Sequence, residues 1–296
     1  MRNMGSFFSR REANRKRQEL LNYRFGNIHG QHYFCGLDIG DILVREGGVR
    51  IGLIGPTGSG KSSFINTCER ALKPELRKGT AEIQTANGEG TIVLQEFLDD
   101  IDNDFCLVDT RGFFQHNIDE FTALADIVYG RIRPGQVVRF GTPDNEDTEE
   151  YFPNWLHAII IVLSATDPRL QDGKTHRKHL KIIRDFLRRR VITVITHHDM
   201  IDKSQEEDIL AKACAATGSA RDHTFLVAKY HLDKKETDYN AEIKAMDVMK
   251  SALNVAERYV KFHKLQEQWE REDEAIGDDV STIDGKYQCT CRREEN

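Results

Sequence analysis

The chain has 296 residues and a 39% hydrophobic share, enough for one large domain with appendages or two small ones. Its formal net charge of −6 argues against a dedicated nucleic-acid binder, which usually carries a basic balance or stripe. No run approaches the ~18 apolar residues of a membrane-spanning helix, no signal-peptide core follows the first charges, and the six cysteines are scattered as reduced thiols would be; the expectation is a cytoplasmic protein.

Residues 1–44 read as a basic leader, with Arg2, Arg10, Arg11, Arg15, Lys16, Arg17 and Arg24 against Glu12 and Glu19 in its first half. Within it, Met4-Gly5-Ser6-Phe7-Phe8-Ser9 has the M-G-x-x-x-S form of a myristoylation signal, which makes Gly5 a lipidation candidate if translation starts at Met4. A single acyl chain needs a second signal, and the basic residues just beyond would supply it, giving a peripheral membrane contact. The plainer reading is a flexible basic leader.

Apolar patterning then alternates between strand and helix. Val49–Ile54 is a short apolar run ending in glycine, a strand, and Ser62–Leu72 reads as a helix. Thr80–Thr85 and Thr91–Phe97 are β-rich and separated by Asn87-Gly88, a hairpin signal. Phe105–Val108 is a buried strand, Asp119–Tyr129 a helix, and His157–Leu163 an almost wholly apolar strand of the doubly covered, parallel kind. Lys174–Arg189 is a basic amphipathic helix, Val191–Thr196 a buried strand, Gln205–Ala216 a helix and Thr224–Val227 a last short strand. Met246, Met249, Leu253, Ala256 and Val260 then recur at spacings of three and four, one face of a long helix. The acidic stretch from Glu267 loses this periodicity after Trp269, so residues 266–296 form a separate acidic tail, mostly disordered from 270. The order predicts a three-layer α/β domain of the P-loop NTPase type over residues 45–265. Its sheet is mainly parallel with one antiparallel edge strand, and ligands sit outside the carboxyl ends of the strands.

Gly55-Pro56-Thr57-Gly58-Ser59-Gly60-Lys61-Ser62 fits G-x-x-x-x-G-K-S/T at every fixed position, after a strand and before a helix. Glycines let the backbone wrap closely, so N–H groups from Gly55, Thr57, Gly58, Ser59, Gly60, Lys61, Ser62 and Ser63 can cradle phosphate at the helix N-terminus. Lys61 would neutralise the β- and γ-phosphates and the Ser62 hydroxyl would ligate Mg²⁺. Asp109-Thr110-Arg111-Gly112 ends a buried strand. There Asp109 can hold Mg²⁺ through water, and Gly112 can offer its N–H to a γ-phosphate, the D-x-x-G arrangement of GTPase switches. Thr196-His197-His198-Asp199 ends another strand. Asp199 would accept from the ring N–H and exocyclic amine of guanine, groups that adenine does not offer in that arrangement, with His197 packed over the base and Thr196 at the strand exit. Ala228-Lys229 follows the next strand and resembles the loop whose backbone N–H meets the guanine carbonyl. For the Mg²⁺-sensing threonine Thr80 is the choice, with Thr85 and Thr91 competing.

These motifs together resemble the GTPase domain of the interferon-induced protein 44 family. The resemblance is carried by LIGPTGSGKSSFIN (53–66), LVDTRGF (107–113), IVYGRIRPG (127–135), HAIIIVLSA (157–165) and VITHHDMID (194–202). It covers residues 45–260, and the T-H-x-D base motif is its most discriminating part. It implies a dynamin-superfamily-like G domain that binds GTP and GDP, forms a nucleotide-dependent homodimer and serves an immune or stress response. Vertebrate relatives often carry an extra N-terminal domain, and the acidic stretch Thr142–Phe152 has no match. The expected function is Mg²⁺-dependent guanine-nucleotide binding with slow hydrolysis, since Phe113 stands where Ras-like proteins place the glutamine that orients the attacking water. The alternatives are an ATP-using P-loop enzyme and a scaffold that binds nucleotide for stability.

Overall fold

Leu156–Ser164 form a strand, β4, with all nine residues buried. Its alternate side chains feed two different cores: Ala158, Ile160 and Val162 on one face, Ile159, Ile161 and Leu163 on the other. A strand apolar on both faces must lie between two covering layers. In the computed structural model, β1 (Val49–Ile54), β2 (Gln95–Phe97), β3 (Phe105–Asp109), β5 (Val191–Thr196) and β6 (Thr224–Leu226) join β4 in a six-stranded sheet of order β2-β3-β1-β4-β5-β6. Every pairing is parallel except β2 with β3, which is antiparallel at the edge. The fold is thus α/β with a mainly parallel sheet and one antiparallel edge strand, as expected.

The structure describes residues 2–30, 32–44, 48–76, 80–81, 93–110, 112, 118–139, 150–187, 190–228 and 238–290, and among these the side chains of 2–8, 118, 179 and 274–290 are left undescribed. Helices α1 (Arg2–Leu21), α3 (Lys61–Leu72) and α8 (Tyr239–Thr290) cover one face of the sheet, with the short α2 (Gly40–Leu43) tucking Ile42 beside them. Helices α4 (Ile118–Val128), α5 (Pro168–Gln171), α6 (Thr175–Phe186) and α7 (Glu206–Thr217) cover the other. Chain leaving β1 turns to the first face through α3, and chain leaving β3 turns to the second through α4. The two exits diverge from adjacent parallel strands, where Leu53 is paired with Asp109. Such a divergence opens a crevice at the strands' carboxyl ends. Among the described residues no helix is long and apolar enough to cross a membrane.

The N-terminal segment differs from the expected leader. Ala13, Arg17 and Leu20 form one buried stripe of α1, facing α3 and α8. Arg17 pairs with Glu242 of α8 at 2.9 Å and donates to the Ala71 carbonyl of α3, while Lys16 pairs with Asp247. Beyond the helix, Tyr23 donates its hydroxyl and Gly26 its N–H to the fully buried Glu257 of α8, at 3.0 and 2.9 Å. An arginine in the middle of the stripe hides its apolar character from a periodicity reading. Two of the cations expected to face an anionic surface therefore face α8 instead, and Gly5 lies within α1. The far end also differs, because α8 continues to Thr290 past the point where apolar periodicity stops. Gln266–Glu270 and Gln268–Glu272 contacts one turn apart, both 2.8 Å, support it where packing does not. The expected hairpin centred on Asn87-Gly88 and most of the acidic stretch 142–152 lie outside the described residues.

Candidate functional site

Residues 55–60 connect β1 to α3, and their geometry needs glycine. Gly58 and Gly60 have φ of 79° and 95°, in the left-handed region. A Cβ at Gly55 would lie 2.2 Å from the Val162 carbonyl oxygen, so β4 and the loop are in direct backbone contact there. The loop turns back on itself through Ser59 N–H to Pro56 O at 3.1 Å, which leaves Thr57 and Gly58 exposed and Ser59 buried. Ser59 Oγ is buried with no hydrogen-bond partner among the described residues. The α3 ladder begins with Phe64 N–H to Gly60 O, so the amides of the first turn have no acceptor inside the helix. Those amides carry the positive end of the helix dipole.

Lys61 folds back over this loop. It is 7% exposed, and its Nζ donates to the carbonyls of Gly55 and Pro56 at 3.0 and 3.2 Å. Burial pushes its ammonium below the ordinary lysine range, and the Asp109 carboxylate opposes that shift only in part. A buried cation held by neutral carbonyls is improved by an incoming anion. Asp109, 1% exposed at the end of β3, accepts from Ser62 Oγ at 2.9 Å. Hydroxyl and carboxylate oxygens are the donors a small hard cation such as Mg²⁺ takes. Next to it, Thr110 donates its hydroxyl to Leu53 O at 2.6 Å, fixing the end of β3 to β1. Gly112 comes so close to Thr57 that a Cβ there would stand 2.2 Å from the Thr57 hydroxyl. Ser63 is half-buried in the first turn of α3 and its carbonyl accepts from Thr67.

The end of β5 is tied to the same loop. Thr196 donates its hydroxyl to Ser59 O at 2.6 Å, and its methyl would be 3.2 Å from a Cβ on Gly60. His197 adopts φ 56°, one of only two non-glycine residues in the left-handed region among those described. Its Nδ1 lies 3.1 Å from Ser164 Oγ and 3.0 Å from Thr196 Oγ1, and Ser164 Oγ lies 2.8 Å from Thr166 Oγ1. A chain of hydroxyls thus holds the imidazole at the carboxyl edge of the sheet. Asp199 is exposed in the turn His198–Met200 immediately beyond. Ala228 follows β6 and is half-buried, with Val227 N–H bound to Ile195 O at 2.8 Å. Lys229, Thr85, Thr91 and Phe113 lie outside the described residues.

Thr80 is placed elsewhere than expected. Its hydroxyl and N–H both donate to the Glu69 carboxylate, at 2.6 and 2.7 Å. Glu69 is seven residues beyond Ser62 on α3, about 10 Å along the helix axis at 1.5 Å per residue. The threonine is therefore engaged two turns from the Ser62–Asp109 pair, because a buried carboxylate outcompetes solvent for it.

Sequence reasoning missed a cluster just after β4. Asp167 accepts from Arg169 N–H at 2.9 Å as the cap of α5, and its carboxylate also takes the Arg169 guanidinium (Nη2 to Oδ2 2.7 Å, Nε to Oδ1 3.0 Å) and lies 3.2 Å from His176 Nε2. Burial raises the Asp167 carboxyl, but the Arg169 hydrogen bonds and charge more than offset this and hold it below the usual range. The available signal was Asp167-Pro168, a cap followed by proline at the first helical position. It announces a helix start and says nothing of the arginine.

No protein-family model matches the chain and no curated protein matches it. Among solved structures, the crystal structure of a mutation variant of SsGBP is similar at 13% identity with a TM-score of 0.36, over 74% of this chain and 56% of that one. The chain thus spans little more than half of that structure's length, and a likeness this distant carries no argument.

Proposed function

We propose that the chain is a P-loop protein that binds guanine nucleotides with Mg²⁺, hydrolyses GTP slowly and acts as a nucleotide-controlled switch or assembly protein. The observation that carries this reading is the convergence of three separate sequence motifs on one loop: Lys61 of the loop motif itself is buried over it, Asp109 is bound to Ser62 at its end and Gly112 of the same string lies against Thr57, and Thr196 is bound to Ser59. In this reading the loop amides and Lys61 take the phosphates, and Gly112 offers its N–H to the γ-phosphate. Ser62 and Asp109 would hold Mg²⁺, which when bound would supply neutralisation of the phosphate charge. The Ser59 hydroxyl, buried with no hydrogen-bond partner among the described residues, is available to a polar ligand at the same loop. Asp199 reads guanine, and the ring of His197, steered by Ser164 and Thr196, stacks on it. Ala228, just past the end of β6, closes the base site. Resemblance to the interferon-induced protein 44 family supports the same assignment and adds a nucleotide-dependent homodimer and an immune or stress setting.

Lys61→Ala tests the phosphate half of this reading. Its ammonium makes the charge-assisted contact to the triphosphate and serves no apolar core, so fluorescent GTP analogue binding should disappear while the far-ultraviolet circular dichroism stays native. Unchanged affinity in this variant would sink the P-loop assignment.

A further inference from the structure

A cavity of about 460 Å³ opens beside the glycine-rich loop, with Thr57, Gly58 and Ser59 on one wall and Ser164, Thr166 and Arg169 on the other. Arg169 is the cation of this cavity wall, and in the structure its guanidinium is turned onto Asp167. We infer that Arg169 is a catalytic residue of the proposed hydrolysis, moving from Asp167 to a terminal phosphate oxygen of the nucleotide bound by its own chain. The inference rests on the nucleotide reading above and adds a cationic group to a site where Phe113 stands in place of the expected glutamine, alongside Gln115 and His116, the nearest polar candidates in the sequence.

Two features of the cluster make the movement inexpensive. Asp167 does not depend on the guanidinium: when the side chain leaves, Oδ1 keeps the Arg169 backbone N–H as the cap of α5, and Oδ2 keeps the buried His176. The competing acceptor is a triphosphate with several charges, against a single carboxylate. The exchange also places the cation where charge builds during reaction. Water oxygen bonds to the γ-phosphorus and the bond from that phosphorus to the β–γ bridging oxygen breaks, its electron pair remaining on GDP. One water proton stays on the inorganic phosphate and the other passes to solvent. A guanidinium on the γ- or bridging oxygens lowers the energy of that charge distribution more than it lowers the ground state. Held on Asp167, it does neither, so the pair is a resting position.

The test uses the full chain with GTP and Mg²⁺, reading binding and single-turnover hydrolysis separately. Arg169→Ala should keep GTP affinity within a few-fold and lose at least about tenfold in the hydrolysis rate, and millimolar guanidinium ion should restore part of that loss. Asp167→Asn retains a capping oxygen but weakens the fork, so hydrolysis should be maintained or raised. Equal loss in Asp167→Asn and Arg169→Ala, without rescue, would show that the pair only braces α5 and would overturn the inference. Full turnover in Arg169→Ala with intact binding would overturn it too. So would recovery of turnover on mixing Arg169→Ala with Lys61→Ala, which would assign the arginine to a second copy's nucleotide. Absence of GTP binding by the unmutated chain is a different result, because it removes the nucleotide reading itself.

Discussion

Asp199 stands exposed one turn beyond a β-strand whose last threonine is hydrogen-bonded to the glycine-rich loop, so in the proposed reading a base at Asp199 and phosphates at Lys61 would belong to one ligand. Replacing the carboxylate by an amide changes an acceptor into a donor at that position. Asp199→Asn should therefore weaken GTP by about 1.5–3 kcal/mol, the worth of a charged hydrogen bond, and improve xanthosine triphosphate, whose carbonyl replaces the guanine amine. Competition binding of the two nucleotides checks this, and loss of both would point to misfolding of the 197–200 turn. The residues of this site were legible to different degrees for physical reasons. Lys61, Ser62, Asp109 and Thr196 sit in contiguous strings next to strand ends, so their meeting at one loop could be anticipated from local chemistry. Thr80 had no such string, and its hydroxyl answers to Glu69, a carboxylate that only the fold brings near. Arg169 was invisible because its meaning comes from the cap at Asp167 and from the glycine-rich loop more than a hundred positions earlier in the chain.

At the level of elements, the strands were the easiest to read, since β1, β3, β4 and β5 are apolar runs buried on both faces and need no partner to be recognised. Helix α1 was the hardest, because Arg17 occupies the centre of its buried stripe and is satisfied by Glu242 and the Ala71 carbonyl. Helix α8 holds the N-terminal segment a second time through Glu257, which accepts from Tyr23 and Gly26 in a fully buried position. Burial first, and then the Glu257 charge, push the Tyr23 phenol well above its usual range, so that tyrosine remains a donor across the ordinary pH range. Removing the acceptor leaves the buried Tyr23 hydroxyl unsatisfied, at about 1–3 kcal/mol, and also frees the half-buried Gly26 N–H. Glu257→Ala should accordingly lower the urea midpoint at unchanged slope, and Glu257→Gln should recover part of the loss. A Glu257→Ala variant as stable as the parent would return residues 1–44 to the status of a loose leader.

Taken whole, the molecule is a sheet with helices on both faces and one chemically loaded edge. Every described candidate residue for phosphate or base binding lies at the carboxyl end of a strand, in the turn that follows it or in the first turn of the next helix, while α1, α3 and α8 pack the first face and α4 to α7 the second. That division was readable from the βα alternation, because parallel strands with crossover helices leave their carboxyl ends free for ligands. The ends of the chain were not readable in the same way: α1 joins the core through a buried ion pair, and α8 outlasts its apolar stripe through polar contacts one turn apart. The central claim is that this edge holds a guanine nucleotide, and it is tested most directly by calorimetric titration of the unmutated chain with GTP and with ATP in the presence of Mg²⁺. The account predicts that GTP binds at least about a hundredfold more tightly, roughly 2.7 kcal/mol, in keeping with a carboxylate that accepts from guanine alone. Equal affinities for the two nucleotides, or no binding of either, would contradict it.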